Sequence, residues 1–287
     1  MDNIKVSVVI LNYNRREILK ISLGKMLKQN FSAFEIIVCD NSSSDGSVEM
    51  IKKEFPSVKL IESGGNLGIK GYNMAIGESV GEIIVILDDD SFLEKDGLDK
   101  IVRKFDKYPK LGALGCKVIN FHSNTVHHWH PNIKHDNAPE EGLPTPLFNG
   151  CAAAVRKKVL DEVGCYPEEF FIYENERDLC TRIIDAGYDV KYFTDITGYH
   201  MVSETGRSSK RLIFYSNRNR LWYYWKYLPF FLSCRYTFSL IKHNLIKAIK
   251  EREPEYLKSV FYAFFGMPVV LKKRKCVKKE NLKKILY

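Results

Sequence analysis

Short apolar runs, each ending in polar or glycine-rich residues and then a helical spacing, fill the first third of the chain. Val6-Ser7-Val8-Val9-Ile10-Leu11 is the first run and ends in Asn12-Tyr13-Asn14-Arg15-Arg16. Ile18, Leu19, Ile21, Leu23, Met26 and Leu27 follow at intervals that put them on one helical face. A second strand at 35–39 ends in Asp40-Asn41-Ser42-Ser43-Ser44-Asp45-Gly46-Ser47, and an amphipathic helix runs from there to about residue 55. A third strand at 58–61 leads into Gly64-Gly65-Asn66-Leu67-Gly68-Ile69-Lys70-Gly71-Tyr72-Asn73 and a further helix. The fourth, Ile83-Ile84-Val85-Ile86-Leu87, is unbroken and mostly β-branched, as in a strand covered on both faces. Strands alternating with helices through short connections predict an α/β fold with a mostly parallel sheet.

The fourth run ends in Asp88-Asp89-Asp90. A buried strand has no structural need for three adjacent anions, because like charges repel and each must find water, a donor or a cation. Asp90-Ser91 as the N-cap of a helix starting near Glu94 would need one aspartate and not three. Ligands of open α/β sheets sit beyond the carboxyl ends of the strands, so the triple aspartate predicts a divalent metal holding a diphosphate. The other strand ends suit the same ligand. Tyr13 could stack on a base, Asp40 could accept from a base edge or a ribose or, with its serines, simply form a turn and helix cap, and the loop 64–73 allows close backbone approach. Neither a P-loop nor a G-x-G-x-x-G fingerprint is present.

Further along, a helix is expected over about 95–108 and a strand at 114–119. His122, His127, His128, His130 and His135 fall in an irregular stretch, 120–148. With no cysteine partner or helical H-x₃-H spacing, they read as a variable acceptor-side loop and not a metal cluster. Phe148-Asn149-Gly150 enters a strand of small residues, 151–155. A helix closing at Gly164 comes next. Glu174-Asn175-Glu176-Arg177-Asp178 then opens a helix carrying Leu179, Ile183 and Ile184; first-turn acids there also suit the helix dipole.

Composition adds one division. The chain has 287 residues and a formal net charge of +9. Residues 207–287 hold 20 Lys and Arg against 4 Asp and Glu, and the remaining 24 and 31 lie in 1–206. The split is therefore +16 against −7, and the two parts are expected to face different partners. Leu221-Trp222-Tyr223-Tyr224-Trp225-Lys226-Tyr227-Leu228-Pro229-Phe230-Phe231-Leu232 and the charge-free stretch 260–271 both fall short of the ~20 apolar residues of a membrane span. Aromatics, leucines and lysines without a full span describe helices lying in a membrane interface. The alternative is an appendage packed on the catalytic domain or on a second subunit. No nucleic-acid motif accompanies the charge. Seven scattered cysteines without a C-x-x-C pair, and an N-terminus without a signal peptide, suggest a reduced, cytoplasmic setting.

The ordered set V-S-V-V-I-L-N-Y-N-R, I-I-V-C-D-N-S-S-S-D-G-S, N-L-G and the triple Asp resembles glycosyltransferase family 2, of GT-A fold, over about residues 4–225. The resemblance implies a Rossmann-like sheet flanked by helices, with inversion at the sugar carbon and a nucleoside diphosphate sugar donor, UDP- or dTDP-linked. It implies a glycan or lipid-linked acceptor in bacterial cell-surface polysaccharide synthesis, as in rhamnosyltransferase-like enzymes. By this resemblance Asp40 contacts the donor base, Asp88 the ribose and Asp90 a Mn²⁺ or Mg²⁺ ion, which His200 completes. Asn12, Tyr13, Asn14, Asn66, Gly68, Lys70, Asn73 and Asp89 fall on the donor side. Asn149, Gly150, Asp178 and Arg218 fall on the acceptor side. Glu176 aligns with the catalytic base, Asn175 departs from the commoner acidic pair, and Glu174 is the rival base. A catalytic domain over 1–206 is expected, donor side to about 120, with a basic helical region at 207–287 on the inner face of the cytoplasmic membrane, in a possible homodimer. The rival readings are a nucleotidyltransferase, which lacks its basic glycine-rich N-terminal loop here, and a non-catalytic scaffold binding nucleotide sugar or glycan.

Overall fold

A computed structural model describes residues 4–127, 139–201 and 209–286. Its strands are β1 (Val6–Asn12), β2 (Phe34–Asp40), β3 (Lys59–Glu62), β4 (Ile83–Asp88), β5 (Ser91–Leu93), β6 (Leu111–Asn120), β7 (Leu143–Pro144), β8 (Ala153–Arg156) and β9 (Asp189–His200). Its helices are α1 (Arg16–Met26), α2 (Ser47–Glu54), α3 (Lys70–Gly77), α4 (Gly97–Lys107), α5 (Lys157–Val163), α6 (Asn175–Asp185), α7 (Ser209–Tyr227), α8 (Phe230–Lys250), α9 (Glu255–Lys272) and α10 (Leu282–Ile285).

The strands form one sheet in the order β3-β2-β1-β4-β8-β6-β9-β5, with β7 also on β9. β1 to β4 pair in parallel, whereas β8 runs antiparallel to both β4 and β6. Successive side chains of a strand point to opposite faces, and the pleat of β4 shows it. Ile83, Val85 and Leu87 pack with Leu19, Leu23 and Met26 of α1 and Ile101 and Phe105 of α4, while Ile84 and Ile86 pack with α3, α5 and α6 on the other face. This is the mostly parallel α/β sheet flanked by helices that the alternation of elements predicts.

One element was not anticipated, and one differs from expectation. Ser91-Phe92-Leu93 is no helix cap but a short strand pairing with Gly198–His200, because Phe92 stacks on Tyr199 with ring centroids 5.2 Å apart. α4 starts only at Gly97, so Asp90 caps no helix. The stretch 221–232 was expected to lie in a membrane interface, but its first two thirds are mostly core: Leu221, Trp222, Tyr223, Tyr227 and Leu228 are buried. Tyr223 and Tyr227 join the apolar layer of α3, α5 and α6, and so do Val277 and Ile285 near the chain's end. The basic C-terminal region thus shares a core with the sheet's second helical layer.

Candidate active site

The parallel register brings the strand ends into line. Leu11 pairs with Asp88 across β1 and β4, and Asn12 pairs with Asp40 across β1 and β2. Asn12 is buried and its Nδ2 donates to Asp40 Oδ2 (2.7 Å) and Ser43 Oγ (3.1 Å). Asp40 Oδ1 accepts from the Ser43 amide (2.7 Å), and Asn14 Oδ1 from the Ser44 amide (2.7 Å). Asn12, Asn14 and Asp40 therefore fold the first two loops onto each other, while Tyr13 stays exposed beside them.

A cavity of about 650 Å³ lies beyond these strand ends. Tyr13, Arg15, Asn66, Gly68, Asp88 and Asp89 line it from the strand ends, and Asn149, Gly150, Tyr173, Asn175 and Glu176 line it too. The glycine loop meets the opposite wall at Gly68, in a left-handed conformation (φ 58°), where an added Cβ would collide with the carbonyl oxygen of Phe171. The Ile69 amide donates to that same oxygen (2.7 Å). Phe171, Tyr173 and Glu174 are themselves non-glycine residues with φ of 65°, 66° and 61°. Such strained backbone persists only where the surroundings hold it, and it clusters at functional sites.

The three aspartates play three roles. Asp88 faces the cavity and accepts from Tyr72 Oη (3.1 Å). Asp89 and Asp90 are buried, and Arg15 Nη1 donates to both, at 2.8 and 2.7 Å. Burial pushes the Asp89 carboxyl up to about 7 against the pull of Arg15. Burial would raise Asp90 as well, but His200 and Arg15 outweigh it and hold that carboxyl below the ordinary carboxylate range.

Asp90 Oδ1 and His200 Nε2 lie 3.0 Å apart, yet each is buried without a hydrogen-bond partner among the described residues. Ligand atoms of Asp88, Asp90 and His200 all fall within 4.8 Å of one another. Two carboxylates and an imidazole suit Mn²⁺, and Mg²⁺ less well because of the nitrogen. Orphaned buried polar atoms facing each other are what a bound cation would satisfy. The residues fit a divalent metal. His127 joins this wall, its ring centroid 5.8 Å from that of His200; His128, His130 and His135 lie outside the described residues.

On the facing wall, Glu176 and Gly150 touch: an added Cβ at Gly150 would sit 2.5 Å from Glu176 Oε1. Burial, reinforced by the charges of Asp88 and Glu174, pushes Glu176 up to about 7. Glu174 is otherwise engaged, accepting from Arg220 Nη2 (2.8 Å) and pairing with Arg177 Nε (3.0 Å).

Four residues singled out in the sequence point elsewhere. Lys70 pairs with Glu168 at 3.1 Å on the surface. Asn73 exchanges two 2.9 Å hydrogen bonds with the backbone of Tyr166. Asp178, fully buried, accepts from Arg182 Nε (2.8 Å), Lys226 Nζ (2.7 Å) and Tyr227 Oη (2.8 Å), tying α6 to α7. Arg218 donates to the carbonyl of Phe170 (2.9 Å) and lies over Trp222, 4.2 Å from its ring centroid; burial lowers it to about 10. Sequence reasoning missed Arg15, an ordinary basic residue after a strand, and Arg211 with Leu212, which reach the cavity from the start of α7.

Comparison with known proteins gives the family and the fold. Residues 7–164 match Glycosyl transferase family 2, and the chain belongs to that family. It is a glycosyltransferase of GT-A fold. Among its relatives is the N-acetylglucosaminyl-diphospho-decaprenol L-rhamnosyltransferase of Mycobacterium tuberculosis, 20% identical over 294 residues, covering 85% of this chain and 94% of that one. Another is the Escherichia coli UDP-Glc:alpha-D-GlcNAc-diphosphoundecaprenol beta-1,3-glucosyltransferase WfgD, 30% identical over 188 residues, covering 64% and 71%. A solved mannosyltransferase from Pyrobaculum calidifontis, in complex with GDP-Man and Mn²⁺, superposes with a TM-score of 0.58 at 21% identity, over 94% of this chain and 72% of that one.

Proposed function

We propose that the protein transfers a sugar, with inversion, from a UDP- or dTDP-linked donor to a hydroxyl of a lipid-linked glycan in bacterial cell-surface polysaccharide synthesis. The observation that carries the reading is one cavity with strand-end carboxylates on one wall and Glu176 on the other. The rhamnosyltransferase and the glucosyltransferase named above act on diphosphate-linked polyprenol substrates, and this supports the acceptor class.

Asp88, Asp90 and His200 would hold a Mn²⁺ or Mg²⁺ ion. Bound there, the ion would neutralise charge developing on the departing diphosphate. Asn12 and Asp40 brace the loops that would receive the nucleoside, and Tyr13 is free to stack on its base. Arg15 keeps Asp89 and Asp90 in register. Glu176 would take the proton of the acceptor hydroxyl as its oxygen attacks the anomeric carbon opposite the leaving group. A carboxyl poised near 7 suits that work, because the base is then matched to its operating pH. Inversion in one displacement needs no enzymic nucleophile. The missing side chain at Gly150 gives the Glu176 carboxyl room to sit against the strand end, facing the cavity where an acceptor would lie. A lipid-linked acceptor would put the protein on the inner face of the cytoplasmic membrane.

The test is release of nucleoside diphosphate from a panel of nucleotide sugars, with Mn²⁺ or EDTA. Release from one donor, lost with EDTA and in Asp90→Ala, is expected. Glu176→Gln should keep donor binding and lose transfer. Donor bound but never turned over, even with candidate lipid acceptors, would favour a scaffold that keeps the fold without the chemistry.

A further inference from the structure

α8 and α9 form a helical hairpin over α7, and they carry apolar residues on both their inner and their outer faces. A helix packed on a soluble protein turns its apolar stripe inward. Here α8 turns Ser233, Thr237, Leu240 and Asn244 inward, and α9 turns Tyr256, Ser259, Ala263 and Val270 inward. The contacts with α7 are close and partly polar. Trp225 Nε1 donates to Thr237 Oγ1 (3.0 Å), Trp222 Nε1 donates to the Ala263 carbonyl (2.8 Å), and an added Cβ at Gly266 would strike the Trp222 ring.

Many large apolar residues also face out. Phe231 is 84% exposed, Phe238 73%, Ile249 79% and Phe265 78%, with Phe261 and Val269 also exposed. At about 100° per residue, Phe231, Phe238, Leu245 and Ile249 fall on one line along α8. Scattered exposed apolar residues are ordinary, but so many large ones on two helices packed against each other mark an interaction surface.

Charge selects the partner. α8 contains no acidic residue, α9 contains only Glu255 at its first position, and Arg235, Lys242, Lys250, Lys258 and Lys272 are exposed among the apolar positions. A second copy of so basic a face would be repelled by the first. No helix among the described residues is long and apolar enough to cross a membrane. We infer that the α8–α9 hairpin is a bilayer-docking face, lying in the interface of a membrane that carries anionic lipid. The phenyl rings would insert among the acyl chains, and the lysines would snorkel to the headgroups. The inference rests on the lipid-linked acceptor reading for its purpose, but its chemistry comes from the surface alone.

The test is flotation of the full chain with vesicles of phosphatidylcholine alone and of phosphatidylcholine mixed with phosphatidylglycerol. The wild type should float with the anionic vesicles and release at high salt. The variant Phe231→Ser/Phe238→Ser/Phe265→Ser, whose circular dichroism should match the wild type, is expected to lose binding roughly tenfold or more, since each ring contributes interfacial apolar area. Lys242→Glu/Lys258→Glu/Lys272→Glu should lose the preference for anionic lipid. Donor hydrolysis should be unchanged in both variants, so failure of this inference and failure of the transferase reading are told apart. The inference is overturned if the wild type floats with neither vesicle, or if the phenylalanine variant binds as the wild type does. Concentration-dependent dimerisation abolished by that variant, without vesicle binding, would instead make the face a contact between copies.

Discussion

Glu176 and Arg15 hold opposite walls of the cavity, and each makes a sharp expectation. As the proposed general base Glu176 must be deprotonated, so with its carboxyl near 7 the transfer rate should rise with pH through about 7 and then level off. Glu176→Gln should lower it by roughly 10²–10⁴ and abolish that limb, with donor affinity retained by equilibrium binding. Stability moves the other way. The unfolded carboxyl gives up its proton at its ordinary lower pKa while the folded one still holds its own, so between about 4.5 and 7 the folded state binds more protons and its stability falls as pH rises. Glu176→Gln should remove that loss and unfold at a higher temperature than wild type at pH 8, with little difference at pH 4. The gain is at most about 3 kcal/mol, reduced by water in the cavity. Arg15 serves two buried carboxylates at once. Arg15→Met leaves both without it and should cost about 3–5 kcal/mol in denaturant unfolding without metal. Added Mn²⁺ should recover more stability in this variant than in wild type, because a cation on Asp90 takes over part of the neutralisation.

At the scale of elements, what was legible in the sequence is what has a period or a charge contradiction. The β1–β4 runs alternate with helices and are buried on both faces, and both facts are written in their apolar continuity. The triple aspartate stood out because no strand needs it. Other features depend on partners distant in the chain. β5 forms because Tyr199 is there to stack on Phe92, more than a hundred residues away. Arg15 reads as a solvated helix start until Asp89 and Asp90 come within reach. Asp178 looks like a first-turn acid with a role at the site, yet α7 brings Lys226 and Tyr227 onto it. Asp178→Ala should therefore behave as a packing mutation: it strands Lys226 and Arg182 in a buried network and should destabilise by about 3–5 kcal/mol. Residual folded enzyme should bind donor normally. Gly150→Ala should do the reverse, keeping stability within about 1 kcal/mol if the Glu176 side chain shifts, while lowering transfer by displacing it. Thermal unfolding and single-turnover kinetics on both variants separate the two roles.

The whole molecule couples a catalytic sheet to its basic tail through shared packing. α7 lends Tyr223 and Tyr227 to the layer that carries α6, and so supports the helix on which Glu176 sits. The other side of α7 is covered by α8 and α9. Beyond the hairpin the chain returns. Arg274 Nη2 donates to the Leu228 carbonyl (2.7 Å), the Lys278 amide donates to Asp185 Oδ1 (2.8 Å), and Val277 and Ile285 enter the core. The division of charge between 1–206 and 207–287 is therefore a division of surfaces within one packed body. A chain ended at residue 228 loses the cover of Trp222 and Trp225, the Leu228 carbonyl's partner and two buried aliphatic residues. It should unfold at a clearly lower temperature than the full chain, and its weakened α6 should release less nucleoside diphosphate even from a soluble donor. The phenylalanine-to-serine variant of the hairpin leaves all those contacts in place and should keep both properties. Calorimetry on the two proteins distinguishes the possibilities: a truncated chain as stable and active as the full one would mean that the hairpin and tail are a detachable anchor. Loss in the truncation alone would mean that the segment proposed to dock on the bilayer is also what holds Glu176 in place.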